Sequence, residues 1–284
     1  MTTSVHTNAS ALIALQNLNK TNSKLADTQS RINTGLKVQG AKDNAATWAI
    51  AQNQRADMAS LDSVKSSLNR ATSIADVSLA AGAEISDILV EIRSKVVAAA
   101  DPSSSEATRK AYNDEFQALL LSLQSFADNA TFDGENILNG LETDALPFLA
   151  SADAQETITM KRQNLTLEGL GLTGDPTATP DPIPAPSLLT QEGAEAALAL
   201  VETALATSNE RLAELGAQAK QIEKHNIFVG KLMDSLEVGI GNLVDADLAK
   251  ESARLQALQV QQQLGSQALS IANQAPQIIL SLFQ

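Results

Sequence analysis

Residues 9–36 read ASALIALQNLNKTNSKLADTQSRINTGL, and the apolar residues among them recur with the spacing of a coiled-coil seam. Steps of four and three residues alternate, which keeps the seam on one face of a helix. We call this set the N-terminal seam, and it consists of Ala11, Leu15, Leu18, Asn22, Leu25, Gln29, Ile32 and Leu36. A single helix with so narrow an apolar stripe is marginal in water, so it needs another surface to pack against.

The other end of the chain repeats this pattern. Its C-terminal seam consists of Ala257, Gln261, Leu264, Ala268, Ile271, Ala275, Ile278 and Leu282. Asn22 and Gln29 either fix the register of the coiled coil at some cost in stability or simply face solvent. We expect the two seams to pack against each other and against further copies of the chain, which indicates an assembly protein.

Composition favours long helices over a compact core built around a ligand pocket. Of the 284 residues, 44% are hydrophobic but only 3% are aromatic. The net charge of −13 argues against a nucleic-acid partner, because phosphates require clustered Lys and Arg. No apolar run reaches the ~18 residues that a membrane-spanning helix needs, so membrane insertion is not expected. Residues 1–6 lack the basic and apolar regions of a secretory signal, and this test alone predicts a cytoplasmic protein.

The sequence offers no pattern for catalysis or cofactor binding. His6 and His225 are far apart, and neither has a carboxylate or imidazole at ligand spacing. The chain has no cysteine, no Gly-rich phosphate loop and no Ser-His-Asp arrangement. We therefore expect no catalytic residues, no metal site, no cofactor and no enzymatic activity.

The order of helices is nearly the same from either end. Gly35 and Gly40 bracket a break after the first helix, and Asp43 and Asn44 supply a cap for the next one. Gly239 and Gly241 predict the corresponding joint near the other end. Helices are predicted over about residues 9–36, 44–100 and 188–236, with a last helix beyond Gly241. Residues 101–105, which include Ser105, end the second of these and cap a further helix, whose apolar face runs from Tyr112 to Phe126.

The middle of the chain is different in kind. Extended segments near residues 146–149, 157–161 and 164–167 indicate a small β-hairpin region. Five of the eight prolines then fall between Pro176 and Pro186, which is typical of a linker. The predicted fold is mainly α: an elongated antiparallel helical rod, a coiled-coil-like bundle with a small β-hairpin region, in which the terminal helices pair as a coiled coil.

Five motifs follow one another along the chain: TNASAL at 7–12, SRINTGLKV at 30–38, AKDNAATWAIA at 41–51, TFDG at 131–134 and ANQAPQIILSL at 272–282. They resemble those of bacterial flagellin, in a short form similar to alphaproteobacterial flagellins. The resemblance covers about residues 5–140 and 190–284, and Thr47 and Trp48 stand where the family usually has glycine.

The resemblance implies a structural subunit that polymerises into the flagellar filament used for swimming. It implies a secreted, extracellular protein, which removes the conflict with the missing signal peptide. The implied domains are an inner-core coiled-coil domain from residues 1–40 and 239–284, a helical rod domain from 41–140 and 188–238, and a hairpin with a proline-rich loop at 141–187 in place of an outer domain.

The implied partners are copies of the chain, sister flagellins, an export chaperone, the flagellar type III export apparatus, and the hook-associated and cap proteins. The chaperone would cover Leu264, Ile271, Ile278 and Leu282, which the exposed seam also suggests. Two alternatives remain at this point. One is the hook–filament junction protein of the same export family, and the other is an unrelated helical adaptor.

Overall fold

The protein is mainly α-helical, as the sequence predicts. The computed structural model describes residues 8–173 and 186–281, with side chains described up to residue 274 in the last helix. The helices are α1 (Ala9–Thr34), α2 (Ala45–Ala100), α3 (Glu106–Asn129), α4 (Gln191–Val244) and α5 (Leu248–Ser281). The strands are β1 (Thr131–Phe132), β2 (Glu135–Asn136), β3 (Leu146–Leu149) and β4 (Thr157–Met160). Within these described ranges, no helix is long and apolar enough to cross a membrane.

Capping side chains set the starts of several helices. The Asn8 side chain accepts a hydrogen bond from the first turn of α1, and Ser105 does the same for α3. The predicted cap at Asn44 is confirmed, because its Oδ1 accepts from the Thr47 amide at 3.1 Å. Each cap satisfies an amide that the helix itself leaves without a partner.

The predicted end of the first helix is wrong, because the helix stops at Thr34 and not at Leu36. α1 stops at Thr34 because Gly35 adopts a left-handed conformation with φ 72°. Leu36 therefore lies outside the coiled coil and forms an isolated antiparallel bridge with Asp245. The Lys37 and Val38 amides both donate to the Val244 carbonyl, at 2.6 and 3.2 Å.

The joint predicted at Gly239 and Gly241 is also wrong, because α4 continues through both glycines to Val244. A glycine inside a helix costs about 1 kcal/mol. Burial of Ile240 and Val244 offsets that cost, since each such side chain contributes about 1.5–3 kcal/mol. The break falls instead just before Asp247, whose Oδ1 caps α5 by accepting from the Lys250 amide at 3.1 Å.

The strands pair as two antiparallel hairpins. β3 and β4 are found where the sequence predicts them, with Leu146 opposite Met160 and Leu149 opposite Thr157. The extended segment predicted at 164–167 is not a strand, because Asn164 makes only an isolated bridge to Asn139. The TFDG motif at 131–134 contains β1 and the tight turn that leads into β2.

The chain divides into two compact units, and each has its own contacts. Unit 1 joins residues up to 56 with residues from 234 onward, and unit 2 is Asp57–Met233. In unit 2, α2 and α4 run antiparallel: Asn69 bonds Asn226 at 2.7 Å and Arg93 bonds Glu202 at 3.1 Å. The core of unit 2 includes the fully buried residues Leu68, Ile85, Ile92, Phe116, Leu123 and Met160.

Candidate functional site

The candidate site of unit 1 is the pair formed by α1 and α5. The pair is antiparallel, because contacts move down α5 as they move up α1. Asn8 Nδ2 donates to the Ala272 carbonyl at 2.7 Å, and Gln262 Nε2 donates to Asn22 Oδ1 at 2.9 Å. At the far end, Arg31 Nη1 meets Glu251 Oε1 at 3.3 Å. The two ends of the sequence therefore meet within a single chain.

The face of α1 that packs against α5 contains only every second residue of the N-terminal seam. Leu18, Leu25 and Ile32 are half-buried on this face, as predicted. Between them the structure uses Ala14, Thr21 and Thr28 rather than the predicted Leu15, Asn22 and Gln29, which are exposed. Thr28 is only 2% exposed, whereas Leu15 is 43% exposed.

On α5 the intramolecular face lies one residue later than the C-terminal seam throughout. Its members are buried or half-buried: Glu251, Leu255, Leu258, Gln262, Gly265, Leu269 and Ala272. Ala257, Gln261, Leu264, Ala268 and Ile271 are exposed. Ala275 and Ile278 lie where side chains fall outside the described residues, and Leu282 lies beyond those residues.

Small residues explain the choice of face. Packing is close where Gly265 meets α1: a Cβ added there would lie 3.3 Å from Leu18 Cδ1. On the α1 side of this face, Leu18, Leu25 and Ile32 alternate with the smaller Ala14, Thr21 and Thr28, and small residues allow two helices to approach closely. The signal missed in the sequence was the stripe Leu255, Leu258 and Leu269 around Gly265, together with the opposite charges of Arg31 and Glu251.

The C-terminal seam is thus a second apolar stripe on α5, beside the one already used. Leu264 is 60% exposed and Ile271 is 64% exposed. A groove of about 450 Å³ runs along this edge of the pair. It is lined by Ser10, Ile13, Ala14, Asn17, Leu264, Gly265, Ala268 and Ala272. An exposed stripe at heptad spacing beside an apolar groove is a surface for another helix.

The same region carries no charge. Residues 8–19 of the chain contain no ionisable side chain, and neither do residues 255–281. Contacts made here therefore depend on apolar burial and on amide hydrogen bonds rather than on ion pairs. Apolar side chains, amides and hydroxyls are thus what this part of the helix pair offers to a contact.

These features are typical of a helical structural protein, and comparison with known proteins identifies its family. The bacterial flagellin N-terminal helical region matches residues 5–143, and the bacterial flagellin C-terminal helical region matches residues 198–283. The chain belongs to the bacterial flagellin family. It is a structural subunit of the flagellar filament and not an enzyme.

Full-length relatives support the assignment. The chain is 48% identical over 281 residues to flagellin FljK of Caulobacter vibrioides, covering 99% of this chain and 98% of the relative. It is 40% identical over 290 residues to a flagellin of Brucella melitensis, covering 99% of both. It is 35% identical over 322 residues to flagellin C of Rhizobium meliloti, again covering 99% of both. The resemblance to alphaproteobacterial flagellins is confirmed, and the hook–filament junction protein receives no better support from these matches.

Proposed function

We propose that this chain polymerises by packing the exposed stripe of α5 and the apolar start of α1 onto the terminal helices of neighbouring copies. The observation that carries the proposal is the exposure of Leu264 and Ile271 beside a stripe that α1 already covers. Leu12, Ile13 and Leu15 add exposed apolar surface on α1. Such a contact joins different surfaces of two copies and so extends into an open helical polymer.

The residues of the two seams divide into two groups under this proposal. Leu18, Leu25 and Ile32 hold α1 against α5 within one chain. Leu15, Gln29, Leu264, Ala268 and Ile271 face neighbouring copies, and the sequence pattern extends this role to Ala275, Ile278 and Leu282. The hydrogen bond between Gln262 and Asn22 supports a role for Asn22 in fixing the register of the pair. Leu36 instead supports the segment that leads out of α1.

The domain organisation follows from the same proposal. Residues 1–40 and 239–284 form the inner-core domain that carries the polymer contacts. Residues 41–140 and 188–238 form the helical rod domain, and residues 141–187 form a hairpin with a proline-rich loop and no outer domain. Sister flagellins, whose terminal helices share these contacts, co-assemble with this chain.

Before assembly the exposed stripe has to be kept from premature contact. A chaperone that covers Leu264, Ile271, Ile278 and Leu282 would do this and would release the chain to the flagellar type III export apparatus. The protein is then secreted and meets the hook-associated and cap proteins at the growing end. Deletion of residues 243–284 should abolish chaperone binding in a pull-down experiment, and retained binding would contradict this part.

The experiment that tests polymerisation is seeded growth of the double variant Leu264→Asn and Ile271→Asn. Both side chains are largely exposed, so circular dichroism of the single chain should be unchanged. Each burial in the polymer is worth about 1–2 kcal/mol, because roughly 60% of a leucine-sized surface remains to be covered. The critical concentration should therefore rise at least about tenfold.

The matched control carries Gln263→Asn and Ser270→Asn, which are exposed on the same helix, one residue earlier, and carry little apolar surface. It should elongate like the unaltered chain. Equal critical concentrations for both double variants would refute the role of the stripe. Failure of the unaltered chain to grow long filaments from seeds would favour the junction protein or the adaptor.

A further inference from the structure

A groove in unit 2 lies between the β3–β4 hairpin and α4. Its volume is about 550 Å³, and it is lined by Ala150, Glu156, Thr157, Ile158, Gln221, Lys224, His225 and Phe228. His225 Nε2 lies 2.8 Å from the Ala150 carbonyl, so one end of the groove is closed. Phe228 is 56% exposed and forms an apolar wall opposite Ile158. Lys224 forms no ion pair with any described residue.

One wall of this groove is an open strand edge. The Ala150 amide donates to the Glu156 carbonyl at 2.9 Å, which sets the hydrogen-bonding phase of the hairpin. In an antiparallel pair the phase alternates, so Thr157 and Thr159 direct their backbone groups away from β3. The next outward amide, that of Lys161, is bound by Gln218 Oε1 at 2.9 Å. The outward amides of Thr157 and Thr159 have no such partner in the described part of the chain.

The opposite edge of the hairpin is protected. Pro147 occupies an outward position on β3 and has no N–H to offer. The other outward amide, that of Leu149, donates to Ser67 Oγ at 3.2 Å. An added strand can therefore pair only with β4, and the position of the groove limits pairing to Thr157 and Thr159.

A segment with matching chemistry is exposed elsewhere in unit 2. Residues 141–145, Leu-Glu-Thr-Asp-Ala, are all exposed, and Leu141 is 83% exposed. The segment is already held in place: the Leu141 amide donates to Asn139 Oδ1 at 3.1 Å, and Arg162 Nε donates to the Asp144 carbonyl at 3.1 Å. The Asp144 carboxylate makes no ion pair with any described residue. Because the segment is ordered before binding, docking it costs little conformational entropy.

We propose that residues 141–145 of one copy dock as an added strand along β4 of a second copy. Leu141 packs between Ile158 and Phe228, and the Asp144 carboxylate meets the Lys224 ammonium. Backbone hydrogen bonds to Thr157 and Thr159 supply affinity, while the apolar and charged contacts select this segment. The contact deepens the polymerisation proposed above, on which it rests, by naming a second pair of complementary surfaces.

The hairpin geometry requires that the segment come from another copy. Residues 141–145 lead into Leu146, which pairs with Met160, whereas the groove lies at the Thr157 end of β4. The two ends of a four-residue strand are about 10 Å apart. Residues 141–145 therefore lie beyond the Leu146–Met160 end of the hairpin, and the groove lies at its Leu149–Thr157 end. Segment and groove are therefore different surfaces of one molecule, and their pairing extends into an open chain of subunits when the rotation between copies does not close a ring.

Cysteine cross-linking in filaments tests the contact, because the chain contains no cysteine of its own. Two single variants, Asp144→Cys and Lys224→Cys, are mixed, polymerised on seeds and oxidised. We expect a disulfide-linked dimer that neither variant gives alone. The control replaces Asp144→Cys by Lys110→Cys, an exposed position on α3, and should give no dimer above background. Absence of the mixed dimer in well-formed filaments would overturn the inference and leave the proposed function intact.

Filaments of the unaltered chain provide a second measurement, which does not depend on any variant folding or assembling. Carbodiimide joins carboxylates to amines in direct contact, so it should link Asp144 to Lys224. Polymerising a mixture of ¹⁵N-labelled and unlabelled chains makes links between copies visible as mixed-isotope peptides in mass spectrometry. Finding Lys224 joined only within its own chain, or to other carboxylates, would refute the docking. Failure of the unaltered chain to polymerise would instead count against the proposed function.

Discussion

Replacing Arg162 by methionine should destabilise unit 2 strongly, because this side chain ties the middle of the chain together. Arg162 is 9% exposed and pairs with Glu135 at 2.8 Å and with Glu142 at 2.6 Å. It also donates to the carbonyls of Asn136 and Asp144, at 2.7 and 3.1 Å. Arg162→Met keeps the aliphatic stem and removes every one of these bonds.

The magnitude follows from burial. Breaking a buried ion pair costs about 3–5 kcal/mol, and the exposure of Glu142 reduces this figure here. We expect about 3 kcal/mol, which for a unit of this size lowers the melting temperature by about 6–12 °C. The measurement is thermal unfolding followed by far-ultraviolet circular dichroism, with hydrogen exchange of the β3 and β4 amides to localise the change.

Arg93→Met is the matched control. Arg93 pairs with Glu202 at a similar distance, 3.1 Å, but both side chains are 53% exposed. Exposed pairs contribute about 0–1 kcal/mol, so the melting temperature should fall by only about 2 °C. Equal shifts for the two variants, or a shift for Arg162→Met no larger than that of the control, would refute the argument from burial.

Further predictions concern glycines and one carboxylate. Gly140→Ala should lower the free energy of unfolding by about 2–4 kcal/mol, because φ is +68° and the new Cβ would lie 2.4 Å from Asn164. Gly134→Ala, with φ +81° and open space around the new Cβ, should lower it by about 1–2 kcal/mol. Urea unfolding of both variants measures the difference. Gly239→Ala should stabilise unit 1 by about 1 kcal/mol, because the position is helical with open space around it, and the fluorescence of Trp48, the only tryptophan, reports that unit. Hydrogen bonds to the Glu214 carboxylate, the larger effect from Lys161 and the next from Gln163, lower the pKa of Glu214. The carboxylate therefore contributes to stability above the ordinary pKa of glutamate, and this contribution is lost as the pH falls through the lowered native pKa. Glu214→Gln should therefore flatten the dependence of melting temperature on pH below about pH 4, and an unchanged profile would contradict this assignment.

Local signals in the sequence predicted the helices well wherever they involved backbone chemistry. Asn44 and Ser105 cap helices because their side chains accept from free amides, and Gly35 ends α1 because glycine readily adopts the left-handed conformation. Gly239 does not end α4 as predicted, because one glycine lowers helix stability by only about 1 kcal/mol. Burial of Ile240 and Val244, which depends on tertiary contacts, outweighs it.

The seams show a different limit. Heptad spacing identifies candidate stripes, but α5 carries two of them one residue apart, and spacing alone does not say which one α1 covers. The sequence prediction chose the stripe with Leu264 and Ile271, and the structure leaves that stripe exposed. What decides the intramolecular face is close approach at Gly265 and the Arg31–Glu251 pair, and both depend on how the two ends of the chain meet.

The distribution of charge separates the two kinds of contact proposed for the polymer. The chain carries a net charge of −13, so copies repel one another at long range. The exposed stripe of α5 and the first turns of α1 contribute nothing to that repulsion, because residues 8–19 and 255–281 have no ionisable side chain. These helices can therefore be brought together by apolar burial alone, and close packing there incurs no penalty from buried charge. The groove of unit 2 works in the opposite way, since the proposed contact between Lys224 and Asp144 offsets part of the repulsion between two acidic copies. A neutral contact that binds and a charged contact that selects thus lie in different units of the same chain.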